Sequence, residues 1–98
     1  MAEHVLIVNR QVLAEFGEKH SDVRGVLDAW VCEVEAARWT TSKDAATRYP
    51  SASFLAGNRV VFNLKGNKYR LDVQVNYASG VVLIKRAGTH AEYSKWKF

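Results

Sequence analysis

The second half of the chain alternates apolar and polar residues with a period of two, the pattern of a strand with one buried face. Three such runs cover residues 59–65, 69–77 and 81–88, separated by Gly66-Asn67 and by Ala78-Ser79-Gly80. The clearest run is the second, whose apolar face comprises Tyr69, Leu71, Val73, Val75 and Tyr77. Because glycine and asparagine suit hairpin turns, the pattern predicts a three-stranded antiparallel meander.

The first half has the longer period of amphipathic helices. Val5 to Val8 predict a strand, after which Asn9 is placed to cap a helix that stops near His20. Ser21 or Asp22 is placed to cap a second helix, whose apolar stripe comprises Val26, Leu27, Trp30, Val31 and Val34. The predicted fold is therefore α+β, with two helices covering the apolar side of the meander.

Two further segments are less regular. Residues 39–56 are polar and predict a loop with one short helical turn, Lys43 to Tyr49, before Pro50. Thr89-His90-Ala91-Glu92 matches a capping box and predicts a short C-terminal helix. The expected order is strand, two helices, three strands and a short end helix in a single domain, 1–98.

Charge is divided unequally between the two halves. Residues 51–98 hold eight Lys and Arg against two acidic residues, a net charge of +6, whereas residues 1–50 carry −2. The basic half is the predicted sheet, and tyrosine, asparagine and histidine residues alternate with its cations. A cationic, amide-rich and aromatic sheet face suggests a polyanion as partner.

Other classes of site are not indicated. Cys32 is the single cysteine, which excludes an intramolecular disulfide and a cysteine-built zinc site. His4 and His20 lack acidic or cysteine companions at ligand spacing, so no metal is expected. The chain is too short for a large cofactor cavity, and no cofactor is predicted. With no apolar run near the length of a membrane span and no signal-peptide pattern, we expect a cytoplasmic protein that does not contact the membrane.

His90 is the first candidate for chemistry. As the first residue of the predicted end helix, it would lie at the positive end of the helix dipole, where a neutral imidazole is favoured. Tyr93 follows three residues later on the same helix face. The alternative is that the capping box serves the helix alone, with His90 in solvent and Tyr93 packed beside Trp96.

Arg70 is the second candidate, because it lies mid-strand on the face opposite the apolar residues. Asn63 and Lys65 can share that face from the neighbouring strand. A guanidinium on a rigid strand can bind phosphate bidentately, or, in a solvated face, it can form a cross-strand pair with Asp72 or a polar neighbour. Lys85 and the residue after it, Arg86, should occupy opposite faces of the last strand, and periodicity does not show which one joins Arg70.

These segments carry a resemblance to a known family. The stretches Phe-Asn-x-x-Gly-Asn-x-Tyr-Arg, at 62–70, and Thr-His-x-Glu-Tyr, at 89–93, resemble the HigB family of bacterial toxins, relatives of the RelE-type toxins. The likeness extends over nearly the whole chain. It implies a RelE-like fold and marks Asn63, Asn67, Tyr69, Arg70, Thr89, His90, Glu92 and Tyr93. Lys85 and Ser94 depart from the family, where Arg and Asp are usual.

The resemblance implies an endoribonuclease that cleaves mRNA, often on the ribosome, and that a helix-turn-helix antitoxin of the HigA type neutralises. Operator DNA would then be bound only through the antitoxin complex. Cleavage without metal needs proton transfer and cations around the scissile phosphate. We expect His90 to transfer the proton, Arg70 and Lys85 to stabilise phosphate, and Tyr93 to position or stack. The predicted RNA-binding set is Asn63, Lys65, Asn67, Lys68, Arg59 and Lys95.

Two other functions agree with the same residues. A non-catalytic RNA-binding or ribosome-binding module would use the same basic sheet face. A protein-interaction module would bind an acidic partner peptide there instead.

Overall fold

A computed structural model describes residues 5–98 and confirms the α+β architecture, with one strand and one helix more than predicted. His4 lies outside the described residues. The strands are β1 (Leu6–Val8), β2 (Ser53–Leu55), β3 (Arg59–Leu64), β4 (Tyr69–Asn76) and β5 (Val81–Thr89). The helices are α1 (Gln11–Lys19), α2 (Arg24–Ala36), α3 (Ser42–Arg48) and α4 (His90–Tyr93). No helix within 5–98 combines the length and the apolar character that crossing a membrane requires.

The strands form one sheet in the order β1-β5-β4-β3-β2. The predicted meander of β3, β4 and β5 is confirmed, and its register places Asn63 opposite Arg70 and Arg70 opposite Gly88. β1 runs parallel to β5 at one edge, and β2 pairs antiparallel with β3 at the other. Arg70 therefore lies on a central strand, held between two neighbours.

The helices cover one face of the sheet, as predicted. Trp30 is 3% exposed and meets the ring of Phe62 edge-on at 5.4 Å between centroids. Leu27 and Val34 are buried on the same stripe of α2, and α1 adds Leu13 and Phe16. Burying a side chain of this size contributes about 1.5–3 kcal/mol, so this face provides the main core. We call the opposite face, which carries Arg70, the polar face.

The predicted helix caps in the first half are wrong. Asn9 has a positive φ of 74°, and its side chain donates from Nδ2 to the carbonyl of Ile84 at 2.9 Å, so it fastens the end of β1 to β5. Ser21 and Asp22 lie in a 3₁₀ turn before α2, which begins without a side-chain cap. The Asp22 carboxylate instead accepts hydrogen bonds from the β3–β4 hairpin, which is a stronger set of donors than a helix end offers.

Segment 39–56 is more ordered than the predicted loop. Thr41 and Asp44 form a capping box, and the hydrogen bonds that Thr40 and Thr41 donate hold the pKa of Asp44 below its usual value. This cap extends the predicted turn into the seven-residue helix α3. The next residues add β2 to the free edge of β3, a pairing that depends on tertiary contact.

Asp22 ties the helical layer to the hairpin. It accepts hydrogen bonds from Lys68 Nζ at 2.7 Å and from Tyr69 Oη at 2.7 Å, while Lys65 Nζ approaches at 3.4 Å. The hydrogen bonds from Lys68 and Tyr69, with the charge of Lys65, hold the pKa of Asp22 well below its ordinary value of 3.8. Folding therefore favours the ionised form of this carboxyl.

We expect Asp22→Asn to lower the melting temperature at neutral pH. Because the folded-state pKa is lowered, Asp22 stabilises the fold fully above the unfolded-state value and loses that contribution as the pH falls below it. The difference in melting temperature between parent and variant should therefore become progressively smaller below about pH 4. Scanning calorimetry over a series of pH values measures this difference. Asp28→Asn is the matched control, since Asp28 is exposed and has no ion pair with residues 5–98. A gap that stays constant with pH would contradict the expectation.

Candidate active site

Arg70 is almost completely buried although it lies on the polar face. The residue is 7% exposed, and Nη1 donates to the carbonyls of Asn67 at 2.9 Å and Tyr69 at 3.2 Å. Its Nη2 lies 3.1 Å from Nδ1 of His90. The hairpin carbonyls thus hold one nitrogen of the guanidinium, and a second nitrogen is directed at the imidazole.

The end helix brings His90 to this position. The predicted capping box is present, with Glu92 N donating to Thr89 Oγ1 at 3.2 Å and Thr89 N donating to Glu92 Oε1 at 2.8 Å. His90 N also donates to the carbonyl of Lys68 at 3.0 Å, which joins α4 to the hairpin. Because α4 is a single turn, its dipole is small, and the neighbour that governs the ring is Arg70.

The contact with Arg70 determines where the ring proton lies. A guanidinium can only donate, so Nδ1 of His90 must accept, and the proton of the neutral ring is on Nε2. His90 is exposed, and its ring centroid is 6.4 Å from that of Tyr93. The guanidinium carbon of Arg70 lies 5.0 Å from the Tyr93 ring centroid. The structure therefore brings three of the four predicted catalytic side chains together.

Lys85 lies further away, at an irregularity of β5. The register of β4 and β5 shifts between Asp72 and Val73, because Asp72 pairs with Arg86 and Val73 with Ile84. Lys85 is the extra residue of this β-bulge, where strict alternation of faces does not hold. The period of two therefore gives no support for placing Lys85 and Arg86 on opposite faces. Arg86 pairs with Asp72 and lies on the polar face. Lys85 is exposed and forms no ion pair within residues 5–98.

Asp72 and two arginines form a buried ion cluster beside Arg70. The Asp72 carboxylate is fully buried and accepts from Arg86 Nε at 2.9 Å and from Arg59 Nε at 3.1 Å, with a second bond from Arg59 Nη2. Asp72 is thus saturated by these two residues, and the predicted alternative of a pair with Arg70 is wrong. The alternation of apolar and polar residues in β4 does not indicate this cluster, because it predicts a solvent-exposed polar face.

The predicted RNA-binding residues are spread over several places. Arg59 belongs to the ion cluster with Asp72, whereas Lys65 and Lys68 contact Asp22. Lys65 follows the end of β3 and has a positive φ of 51°, so it leaves the strand. The prediction that it shares the polar face with Arg70 is wrong. Asn63 does lie opposite Arg70 and donates to the Ser51 carbonyl at 2.9 Å.

Asn67 and Lys95 complete the set. The carbonyl of Asn67 accepts from Arg70, so this residue supports the guanidinium from the hairpin. Lys95 is exposed and has no ion pair within the described chain. Of the predicted set, Asn63 and Asn67 therefore adjoin Arg70, and Lys95 follows α4.

Gly88 allows residues 94–98 to lie against the sheet. It is opposite Arg70 on the neighbouring strand, and a Cβ atom there would be 2.7 Å from Cζ2 of Trp96 and 3.2 Å from Cβ of Glu92. The Trp96 ring also meets Tyr93 edge-on at 5.6 Å. The close approach of Trp96 thus requires a residue without a side chain at position 88.

Gly88→Ala is expected to displace α4 and lower the free energy of unfolding by about 1–3 kcal/mol through overpacking. Urea denaturation followed by circular dichroism measures this change. The matched control is Gly25→Ala in α2, where an added Cβ meets nothing within 4 Å and should be neutral or slightly stabilising. Equal stability of Gly88→Ala and the parent would show that the contact with Trp96 relaxes without cost.

The helices on one sheet face and the arginine, histidine and tyrosine cluster on the other define a RelE-like α+β protein. A family model described as HigB_toxin, RelE-like toxic component of a toxin-antitoxin system, matches residues 23–96. The chain therefore belongs to the HigB toxin family, and the resemblance found in its sequence is confirmed. Membership implies an antitoxin as partner. A search of curated proteins finds no match to this chain.

Proposed function

We propose that this toxin is an endoribonuclease that cleaves mRNA on the translating ribosome without a metal ion and is neutralised by a HigA-type antitoxin. The observation that carries the proposal is the 3.1 Å contact between Arg70 Nη2 and Nδ1 of the exposed His90. It combines a cation with a proton-transfer group whose other nitrogen, Nε2, is left for a substrate. Such a pair is what cleavage of a phosphodiester by its own 2′-hydroxyl needs.

The chemistry follows from how Arg70 is held. Two carbonyls hold Nη1, so Nη2 is the nitrogen that a phosphate oxygen can take over from His90. Once Nδ1 is released, the imidazole can carry a proton on both nitrogens and donate the one on Nε2 to the leaving 5′-oxygen. The 2′-oxygen forms a bond to phosphorus and loses its proton to water as the bond from phosphorus to the 5′-oxygen breaks. The products are a 2′,3′-cyclic phosphate and a 5′-hydroxyl, and His90 regains its proton from solvent.

Lys85 has a more distant role in this scheme. It lies three positions along β5 from Gly88, the residue opposite Arg70, which corresponds to about 10 Å of extended strand. At that distance its attraction to the scissile phosphate is largely screened by physiological salt. We assign Lys85 to a neighbouring phosphate of the RNA. The exposed amines of Lys65, Lys68 and Lys95 would add electrostatic attraction to RNA or ribosome.

The experiment is a map of new 5′ ends on mRNA in a bacterial translation extract, with and without the purified toxin. Discrete cuts inside translated codons that carry a 5′-hydroxyl are the expected result. Toxin purified as a complex with its co-expressed antitoxin should give no new 5′ ends. A contaminating nuclease would still cut in that sample, because the antitoxin does not inhibit it. Absence of new ends from a folded protein that still binds RNA or ribosomes would favour the non-catalytic binding module.

A further inference from the structure

Aromatic rings and guanidinium groups alternate along the polar face beyond the candidate active site. Tyr93 lies over Arg70, and Trp96 lies over Arg86 with 4.4 Å from the guanidinium carbon to the ring centroid. Phe98 is 5.1 Å from the guanidinium carbon of Arg86 and 5.2 Å from that of Arg59. The rings of Tyr93, Trp96 and Phe98 thus form an aromatic row from the side of His90 across the buried ion cluster, and Arg86 links the last two rings.

Phe98 keeps most of its surface free within this row. The residue is 58% exposed although its ring lies on the guanidinium groups of Arg59 and Arg86. Those two arginines are held by the buried Asp72, so the base of the platform is rigid. An aromatic ring that is held by fixed cations and remains largely exposed offers a flat surface at a low entropic cost of binding.

The surroundings of the row favour a negatively charged partner. Lys95 and Lys97 lie within the segment that carries the row, and Lys85 precedes Arg86 on β5. All three are exposed and have no ion pair with residues 5–98, whereas Glu92 is engaged in the helix cap. The charges of Arg59 and Arg86 are partly neutralised by Asp72, so their main contribution is to support the rings. Planar, unpaired bases linked by phosphates match a surface of exposed aromatic rings bordered by amines.

We propose that Phe98, supported by the guanidinium groups of Arg59 and Arg86, forms a base-stacking subsite for a nucleotide of single-stranded RNA next to the one that His90 and Arg70 engage. This inference rests on the proposed nuclease function, because it places the same RNA strand along the row. Its specific content is that an aromatic ring at position 98 contributes to RNA affinity by stacking, whatever the base. Loss of the ring should weaken binding of short oligonucleotides and leave the chemistry at His90 in place.

The test uses a 2′-O-methyl RNA octamer, which lacks the attacking hydroxyl, titrated into the full-length protein and its variants. Quenching of tryptophan fluorescence reports the base, since Trp96 is half-buried while Trp30 and Trp39 are 3% and 7% exposed. Phe98→Ala and Phe98→Leu should both raise the dissociation constant about fivefold to 100-fold, as loss of one stacked base does. Phe98→Trp should bind at least as tightly as the parent. Phe54→Ala is the control, an exposed phenylalanine on β2, at the far edge of the sheet from β5.

Each outcome decides the proposal. Equal affinity of the parent, Phe98→Ala and Phe98→Leu would overturn it, and so would tighter binding by Phe98→Ala, which would show that the ring blocks the surface. Cleavage of unmodified mRNA is measured separately on the same proteins. If the Phe98 variants cleave mRNA and bind the octamer as tightly as the parent, the stacking subsite alone is contradicted. If octamer binding depends on the ring at position 98 but no protein cleaves mRNA, the nuclease function alone is contradicted.

Discussion

Replacing His90 with alanine is expected to lower the rate of mRNA cleavage by about 10²- to 10⁴-fold, the usual contribution of a positioned proton-transfer group. The imidazole is the exposed group that Arg70 orients at 3.1 Å, and alanine removes the nitrogen that would donate to the leaving oxygen. The backbone bond from residue 90 to the Lys68 carbonyl is kept, so α4 should remain in place. The rate of appearance of new 5′ ends in the translation extract measures the effect.

The control is His20→Ala, which removes an imidazole away from the polar face. The His20 ring packs against the rings of Phe16 and Tyr69, at 4.6 Å and 5.1 Å between centroids. Its loss should affect stability and not the rate of cleavage, provided that both variants are assayed well below their melting temperatures. Parental cleavage by a folded His90→Ala protein would remove His90 from the mechanism.

Asp72→Ala is expected to have the largest effect on stability, a loss of about 3 kcal/mol in the free energy of unfolding. The carboxylate is fully buried and faces both Arg59 and Arg86, whose side chains are 20% and 33% exposed. Without it, two positive charges repel each other at a site that solvent reaches poorly. Urea denaturation at neutral pH measures the change.

A matched comparison is Asp44→Ala, which removes an exposed carboxylate from the cap of α3. That change should cost less, because an exposed carboxylate at a helix start stabilises less than a fully buried one in an ion cluster. If Asp72→Ala costs no more than Asp44→Ala, the ion cluster is not a main support of the polar face. A larger loss of stability for Asp72→Ala would show that Asp72 is the group that holds Arg59 and Arg86 beneath Phe98.

The alternation in β4 predicted one face correctly and the other incompletely. Tyr69, Leu71 and Val73 are buried under the helices, as their period of two requires. Burial of Arg70 and Asp72 on the opposite face was not predictable from that period, because α4 and the residues after it, together with Arg59 and Arg86, cover this face. A strand pattern reports on its own residues and carries no information about a distant segment that covers them.

The candidate site shows the same division. His90 and Arg70 were each predicted from local pattern, one from the capping box and one from its place in a strand. Their direct contact depends on the bond between His90 N and the Lys68 carbonyl, a tertiary feature. The Thr41 and Asp44 cap was visible in the sequence as a threonine followed three residues later by an acidic residue, and it would have indicated α3.

The parallel pairing of β1 with β5 has a consequence for the timing of folding. Asn9 and Ile84, which join these strands, are 75 positions apart. The sheet is therefore completed by two segments that are made at very different times during synthesis. Closing a loop of this length has an entropic cost that only the finished sheet repays. Arg70 and His90 lie in the same late part of the chain. The candidate active site of a nascent chain is therefore expected to be complete only after β5 and α4 have emerged from the ribosome.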